Sequence, residues 1–187
     1  MEKIVYPLPL RIIHAGLAIF GVCAYLTGEL AGEAEHALTM GYWLHAYLGL
    51  TVSVFLFSYI LLKIVGLGSR PSNSLSTKES LYDAVKADIR GLMKFNLPER
   101  ADHNGLALMV QLFGVLIFLW MSVTGIILFF MGGAEASSFA HDVAELHEVG
   151  ESLIPVFLVF HVGAVILHTL LGHGILRRMS PFTKINN

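Results

Sequence analysis

A long apolar stretch near the C-terminus restricts the fold more than any other part of the sequence. Residues 145–178 are mostly apolar and long enough to cross a bilayer as one helix. They nevertheless contain four histidines: His147, His161, His168 and His173. Ionisable side chains inside a membrane are costly and usually face the interior of a helix bundle or a site. The stretch therefore predicts a membrane helix whose histidines point inward.

The first two of these histidines are 14 residues apart in the sequence, which is close to a whole number of helical turns. Their rings therefore project from the same side of the helix, about 21 Å apart along its axis. This spacing fits two cofactors stacked across a membrane, and two haems held by histidine are the obvious candidates. The alternative is a set of unrelated polar residues that form hydrogen bonds between helices.

The composition places the chain among membrane proteins. Of the 187 residues, 55% are hydrophobic and 14% are charged, whereas soluble domains average about 25% charged residues. We expect residues 1–187 to form a single all-α membrane domain, because backbone groups in lipid must be satisfied within helices. The lone Cys23 cannot form a disulfide within the chain. The sequence has no zinc-type cluster, phosphate loop or nucleophile motif, and nothing in it indicates a nucleic-acid partner.

Four apolar segments are long enough to be membrane spans. The third has no histidine and no charged residue, which assigns it to scaffolding around the cofactors. Short acidic loops are expected at residues 29–42 and 132–146. The predicted spans are residues 11–28, 44–65, 106–131 and 147–173.

The connection between the second and third spans, residues 66–105, is too long to be a structureless loop. The pattern of apolar and polar side chains over residues 76–95 predicts an amphipathic helix, with Ser76 and Glu79 as a capping box at its start. Such a helix lies on the membrane surface or on a partner protein. The predicted fold is thus a bundle of four transmembrane helices with an amphipathic helix in the connection. The apolar residues that recur at helical spacing in this helix are Leu81, Val85, Ile89 and Leu92.

The positions of the positive charges predict the orientation of the chain. The N-terminal segment has two Lys or Arg residues, the long connection has seven if Lys63 just before it is counted, and the C-terminal tail has three, whereas both short loops have none. Both termini and the connection are therefore expected in the cytoplasm. The short loops then face outward, and together with the start of the fourth span they carry eight acidic residues.

This topology places the histidines of different spans at two levels. His14 lies near the inner surface, because the first span rises from inside, and His45 lies near the outer surface. The natural pairs are His45 with His147 for an outer haem and His14 with His161 for an inner one. Depth alone favours His168 over His161, unless the fourth helix extends past the membrane. Two imidazole ligands leave haem iron no open position, which indicates electron transfer rather than oxygen binding.

These residues carry a resemblance that covers nearly the whole chain. The motifs are RIIH at the start of the first span, WLHAYLG at the start of the second, and LHE, FHVGAVILH and LRRMSP near the end. The sequence resembles the prokaryotic cytochrome b561 family and the related cytochrome b subunits of nickel–iron hydrogenase and formate dehydrogenase. The resemblance implies a four-helix bundle in the bacterial inner membrane, two haem b groups, and quinone as a substrate.

The resemblance also implies roles for individual residues. It decides against His168 as a haem ligand and implies that this position lies near the inner haem, from which we predict that His168 lines a quinone site. Arg11 and His103 are further candidates, with a plain surface residue as the alternative for His103. The alternative for His168 is an interhelical hydrogen bond. The sequence differs from the family's single-chain form in its long connection. We expect this connection to dock a partner. The implied axial ligands of the haem irons are His14, His45, His147 and His161.

Three functions are compatible with these features. The first is a di-haem cytochrome that transfers electrons between the quinone pool and a periplasmic cytochrome c or dehydrogenase subunit, with a basic partner attracted by the acidic outer face. The second is a stand-alone superoxide:quinone oxidoreductase, although outer loops without Lys or Arg are poorly suited to capture an anion. The third is a non-redox transporter or assembly module, which would be colourless. Each is compatible with a homodimer.

Overall fold

The protein is built from helices in the part of the chain that the structure describes. This computed structural model describes residues 6–31, 39–66, 81–94, 105–133 and 136–183. The predicted all-α class is confirmed by these residues. In chain order the helices are α1 (Leu8–Ala31), α2 (Met40–Ile64), α3 (Leu81–Met93), α4 (Leu106–Met131), α5 (Ser138–Leu170) and α6 (Ile175–Met179).

Four of these helices, α1, α2, α4 and α5, are long and apolar enough to cross a membrane. The shortest, α1, has 24 residues, and about 20 residues are enough to cross the hydrocarbon core. Large apolar side chains on all four helices point away from the bundle, as expected where the surroundings are lipid. Examples of these outward-facing residues are Ile19, Val54, Phe130 and Val159.

The bundle is assembled from two helical hairpins. α1 packs along α2, α4 packs along α5, and the hairpins join where α2 meets α4. Glycines allow close approaches, since the rings of Phe55 and Phe157 lie over Gly16 and Gly114 where a Cβ would collide. By contrast, α5 makes at most marginal backbone contact with α1 and α2 among the described residues. The bundle is therefore wider on the side where α5 faces α1 and α2.

The last long helix, α5, begins earlier than the sequence analysis predicts. Residues 132–146 are predicted to be a loop, but α5 already begins at Ser138. The Ser137 hydroxyl accepts a hydrogen bond from the backbone N–H of Ala140 and caps the helix, so the loop prediction is wrong for residues 138–146. The 33 residues of α5 extend about 50 Å, against about 30 Å of hydrocarbon. α5 is therefore longer than a span of the hydrocarbon core requires.

Pro155 interrupts the hydrogen-bond ladder of α5 between His147 and His161. A proline inside a helix has no N–H to donate to the carbonyl four residues earlier, which here belongs to Glu151. The Glu151 carboxylate itself lies close against Gly28 of α1. The two halves of α5 are thus joined by a weaker turn than the rest of the helix.

The amphipathic helix α3 is attached to the start of α4. Asp88 is only 7% exposed, and its Oδ2 accepts a 3.0 Å hydrogen bond from the backbone N–H of Leu106. Gly105, at the N-cap position of α4, has a φ of 69° and no side chain that could cap the helix. Asp88 therefore supplies the cap from a neighbouring helix.

The apolar stripe of α3 stays exposed on the protein surface, as expected for a helix that lies on lipid or on a partner. The predicted capping residues Ser76 and Glu79 lie outside the described residues. The exposed members of the predicted stripe are Leu81, Ile89 and Leu92.

The first and last described segments of the chain meet beside the start of α1. Arg11 is only 2% exposed, and its Nη1 donates hydrogen bonds of 2.7 and 2.9 Å to the carbonyls of Ser180 and Thr183. The backbone N–H of Tyr6 donates a 3.1 Å hydrogen bond to the carbonyl of Arg178. A buried guanidinium thus links α1 to the turn that follows α6.

Candidate functional site

One pair of histidine rings joins α1 and α5. The ring centroids of His14 and His161 are 6.1 Å apart, with an angle of 46° between the ring planes. We call these two residues the inner pair. The Phe157 ring, one turn before His161, stacks on the His161 ring with centroids 5.2 Å apart, and Phe157 packs against Gly114 of α4. Aromatic packing therefore orients the inner pair, in which His161 rather than His168 stands opposite His14.

A second pair of rings joins α2 and α5. The centroids of His45 and His147 are also 6.1 Å apart, and the ring planes are perpendicular, at 90°. We call these two residues the outer pair. The two pairs are separated along α5 by 14 residues, which is about 21 Å of helix. The structure thus brings together the same residues that the predicted topology pairs.

The spacing within each pair suits a metal ion between the two rings. A histidine nitrogen binds a transition metal at about 2 Å, so rings on opposite sides of one ion have centroids about 6 Å apart. Both pairs have this spacing. Among the described residues, no group of three or more His, Cys, Asp or Glu side chains could hold a metal ion. Each pair could supply two ligands, so a metal ion bound there would need a macrocycle for its other coordination positions.

The bundle also has room for a flat group beside each pair. The described parts of α1 and α2 make at most marginal backbone contact with α5, although the histidines of these helices face each other. One turn after His45, a Cβ added to Gly49 would meet no atom within 4 Å, so the backbone is accessible on the His45 face. The residues present therefore fit a haem at each level.

Hydrogen bonds determine which ring nitrogen each outer histidine presents. Nδ1 of His45 lies 3.0 Å from the carbonyl oxygen of Ala24, and a carbonyl only accepts, so this Nδ1 carries the proton. Nδ1 of His147 lies 2.7 Å from Oγ1 of Thr124, whose hydroxyl donates to the carbonyl of Trp120 at 2.8 Å. Thr124 therefore accepts the proton of His147. Both rings keep an unprotonated Nε2 for a metal.

Helix α4 contributes to the outer pair although it carries no histidine. A Cβ added to Gly125 would lie 3.2 Å from Cε1 of His147, so only glycine leaves the ring this much room. The Trp120 indole donates a 3.1 Å hydrogen bond to the carbonyl of Leu146, which precedes His147 in the chain. From its sequence this span is expected to act as scaffolding only, and the contact of Thr124 with His147 is not predicted. The one sequence feature that points to it is a Thr–Gly step one turn after a tryptophan, in an otherwise apolar span.

The candidate quinone residues have different surroundings. Nδ1 of His168 lies 2.8 Å from Nδ1 of His173, and the two ring centroids are 5.1 Å apart. The guanidinium of Arg11 donates to two carbonyls of the C-terminal segment. His103 lies outside the described residues. The structure thus adds His173 to this group, as a residue in direct contact with His168.

Comparison with known proteins extends these observations to the whole chain. The family model described as prokaryotic cytochrome b561 matches residues 5–182. Comparison with curated proteins gives no match, and comparison with solved structures gives none either. The family match begins before α1 and ends after α6, so it does not rest on a single motif. The chain therefore belongs to the prokaryotic cytochrome b561 family.

Proposed function

We propose that this protein is a di-haem b-type membrane cytochrome that transfers electrons across the bilayer between the quinone pool and a periplasmic redox partner. The observation that carries the proposal is a pair of opposed histidine rings at each of two levels. In this proposal the inner pair holds one haem b and the outer pair holds the other. A haem held on both faces by imidazole supplies one-electron transfer, because its iron keeps no open position for a substrate.

The apolar helices between the two levels favour electron transfer between two cofactors over the movement of ions through the bundle. Between the levels, α1, α2 and α4 carry no Asp, Glu, Lys or Arg, and α5 carries only Glu148 and Glu151, within about one turn of His147. The remaining interior is apolar, and an unpaired charge there is very costly. Since α5 contributes one histidine to each pair, a single helix sets the distance of about 21 Å between the levels. The bundle therefore separates two electron-carrying groups by a fixed length of apolar protein.

We place the proposed quinone site at the inner end, around His168. His168 and His173 share a hydrogen bond between their Nδ1 atoms, so one ring donates and the other accepts. Two imidazoles in this contact are suited to give a proton to a quinone oxygen or to take one from it. Arg11 would act by positioning the C-terminal segment, since its Nη1 donates to two carbonyls of that segment. His103 is proposed as a further proton-exchanging group.

We propose a basic partner at the outer end, either a cytochrome c or a subunit of a dehydrogenase. The first turns of α5 carry the exposed carboxylates of Asp142, Glu145 and Glu148, and the outer loops have no Lys or Arg. A surface of one sign attracts a partner of the other over a distance, and salt weakens this attraction. In this proposal the carboxylates face the periplasm, both termini lie in the cytoplasm, and the bilayer is the bacterial inner membrane.

The test of the function is a haem count on the full chain purified in mild detergent. The pyridine haemochrome assay should give two haem b per chain, with a split or broadened alpha band on reduction. His147→Ala and His161→Ala should each leave one haem, because each substitution removes one axial ligand. His168→Ala should leave both, because this residue is not an axial ligand in the proposal.

The matched control for these variants is His141→Ala. His141 lies on the exposed side of α5 beside Glu145, so its removal should leave both haems in place. Fewer than two haems in the unaltered protein, or two haems in both ligand variants, would show that the pairs do not hold haem. A colourless protein would favour the non-redox alternative.

A further inference from the structure

The two histidine pairs differ in what their second ring nitrogens contact. In the outer pair, Nδ1 of His45 is hydrogen-bonded to the Ala24 carbonyl and Nδ1 of His147 to the Thr124 hydroxyl. In the inner pair, neither ring forms a hydrogen bond with another residue in the described part of the chain. The outer level thus has a hydrogen-bonded support that the inner level lacks.

Thr124 makes a contact that a helical threonine does not need. Its hydroxyl donates to the carbonyl of Trp120, four residues earlier, which is the usual bond of a threonine within a helix. Thr51 makes the same kind of bond to the carbonyl of Tyr47. With its proton committed to Trp120, Thr124 can only accept at its remaining lone pairs. One of these lone pairs is directed across the helix interface at Nδ1 of His147.

We propose that Thr124 is a positioning residue for the outer haem, which holds His147 in the tautomer that presents Nε2 to iron and lowers the midpoint potential of that haem. This inference rests on the proposed function. A hydrogen bond from Nδ1–H to an acceptor fixes the ring and raises the basicity of the coordinating nitrogen. A more basic ligand stabilises ferric iron more than ferrous iron, so the haem becomes harder to reduce.

Other contacts between α4 and α5 hold the two helices together without the Thr124 hydroxyl. The Trp120 indole donates to the Leu146 carbonyl, and Gly150 of α5 packs against Trp120 and Met121. The backbone around His147 is therefore held by several contacts. Replacing Thr124 with valine, which has nearly the same shape, should remove the hydrogen bond while leaving the helix interface in place.

The test is a spectroelectrochemical titration of the full chain with both haems bound. In Thr124→Val, the midpoint potential of one haem should rise and that of the other should stay unchanged. Thr124→Ser keeps the hydroxyl and should titrate like the unaltered protein. Thr51→Val removes a hydroxyl that is bonded within its own helix, so this matched control should change neither potential. The haem that responds should be the one missing from His147→Ala.

The rate of haem transfer to apomyoglobin gives a second measurement that does not depend on electron transfer. Loss of a hydrogen bond to a metal ligand weakens metal binding by about 10- to 100-fold. Thr124→Val should therefore release one haem faster by about tenfold, and Thr124→Ser should not.

The proposal is overturned if neither potential rises in Thr124→Val, or if Thr124→Ser raises the potential as much as valine does. Loss of the outer haem from Thr124→Val during purification, with both haems retained in Thr124→Ser, supports the positioning role. An unaltered protein that binds no haem would instead overturn the proposed function, so the two failures are distinguishable.

Discussion

The outer and inner levels of the bundle reach the same ring spacing by different means. The outer rings are held by hydrogen bonds that they donate to α1 and α4, whereas His161 of the inner pair is packed against Phe157. The charges nearby also differ, because Arg11 is buried at the inner end and exposed carboxylates line the start of α5. Ring spacing alone therefore does not determine how a pair of histidines is held, and the two levels are not electrostatically equivalent.

Helix α4 contributes no histidine, yet it supports both levels. Gly125 leaves room for the His147 ring, and Gly114 leaves room for the Phe157 ring beside His161. The two glycines are 11 residues apart, which is close to a whole number of helical turns, so they lie on the same face of α4. This face is a common support for the outer and inner pairs.

The largest expected effect comes from filling these two positions. Gly125→Leu should displace the His147 ring, because even a Cβ there would lie 3.2 Å from the ring, and the variant should keep only one haem. Gly114→Leu should displace Phe157 and reduce occupancy of the inner haem instead. The pyridine haemochrome assay counts the haems, and the alpha band of the remaining haem should differ between the two variants.

The control for both substitutions is Gly163→Leu on α5. Gly163 is exposed and lies two residues after His161, on the opposite side of α5 from that ring, so this variant should retain two haems. Full haem content in Gly125→Leu would contradict the role given to α4. The same remaining spectrum in Gly125→Leu and Gly114→Leu would show that the two levels are not supported separately.

A smaller effect is expected from the buried charge at the inner end. Arg11→Met keeps an unbranched apolar side chain but removes the guanidinium and its hydrogen bonds to the carbonyls of Ser180 and Thr183. Hydrogen bonds from a charged donor contribute about 1.5–3 kcal/mol, so the free energy of unfolding should fall by about 2 kcal/mol. Thermal unfolding in detergent and limited proteolysis of residues 171–187 would measure the change.

Arg90→Met is the matched control for Arg11, since Arg90 is exposed on α3 and its replacement should leave the midpoint of thermal unfolding unchanged. If Arg11→Met unfolds at the temperature of the unaltered protein and its C-terminal segment is no more sensitive to protease, Arg11 does not hold the inner end together.

The smallest effect is expected where α3 joins α4. Asp88→Ala removes the acceptor for the backbone N–H of Leu106, and loss of a helix cap costs about 1 kcal/mol. The midpoint of thermal unfolding should fall slightly, and the amide of Leu106 should exchange faster with deuterium. Asp88→Asn retains a side-chain oxygen and should lose less than Asp88→Ala. Equal exchange of the Leu106 amide in all three proteins would rule out Asp88 as the cap.

Much of the architecture could be predicted from the sequence because lipid imposes simple rules on a chain. Apolar length predicts the four long helices, and the helical period places His147 and His161 on one face of α5. The alternating direction of the spans then pairs these residues with His45 and His14. The structure shows the same neighbours. Their role as haem ligands stays a prediction.

The contributions of α4 and the true start of α5 could not be predicted in the same way. A threonine in an apolar span commonly bonds to its own helix, so Thr124 has no sequence feature that shows a second contact with another helix. The acidic residues before His147 are typical of a loop, and only the Ser137 cap and the residues after it favour a helix. Contacts between helices, and the residue at which a helix begins, depend on three-dimensional packing, which residue spacing does not encode.

Pro155 affects how the sequence of such a protein can diverge during evolution. It lies between His147 and His161, and the backbone bond that it removes would otherwise help to make α5 a single stiff rod. A small tilt of one half is then not passed on in full to the other. Substitutions that alter the packing at one end can therefore accumulate without disturbing the opposite end, even though both ends share a helix.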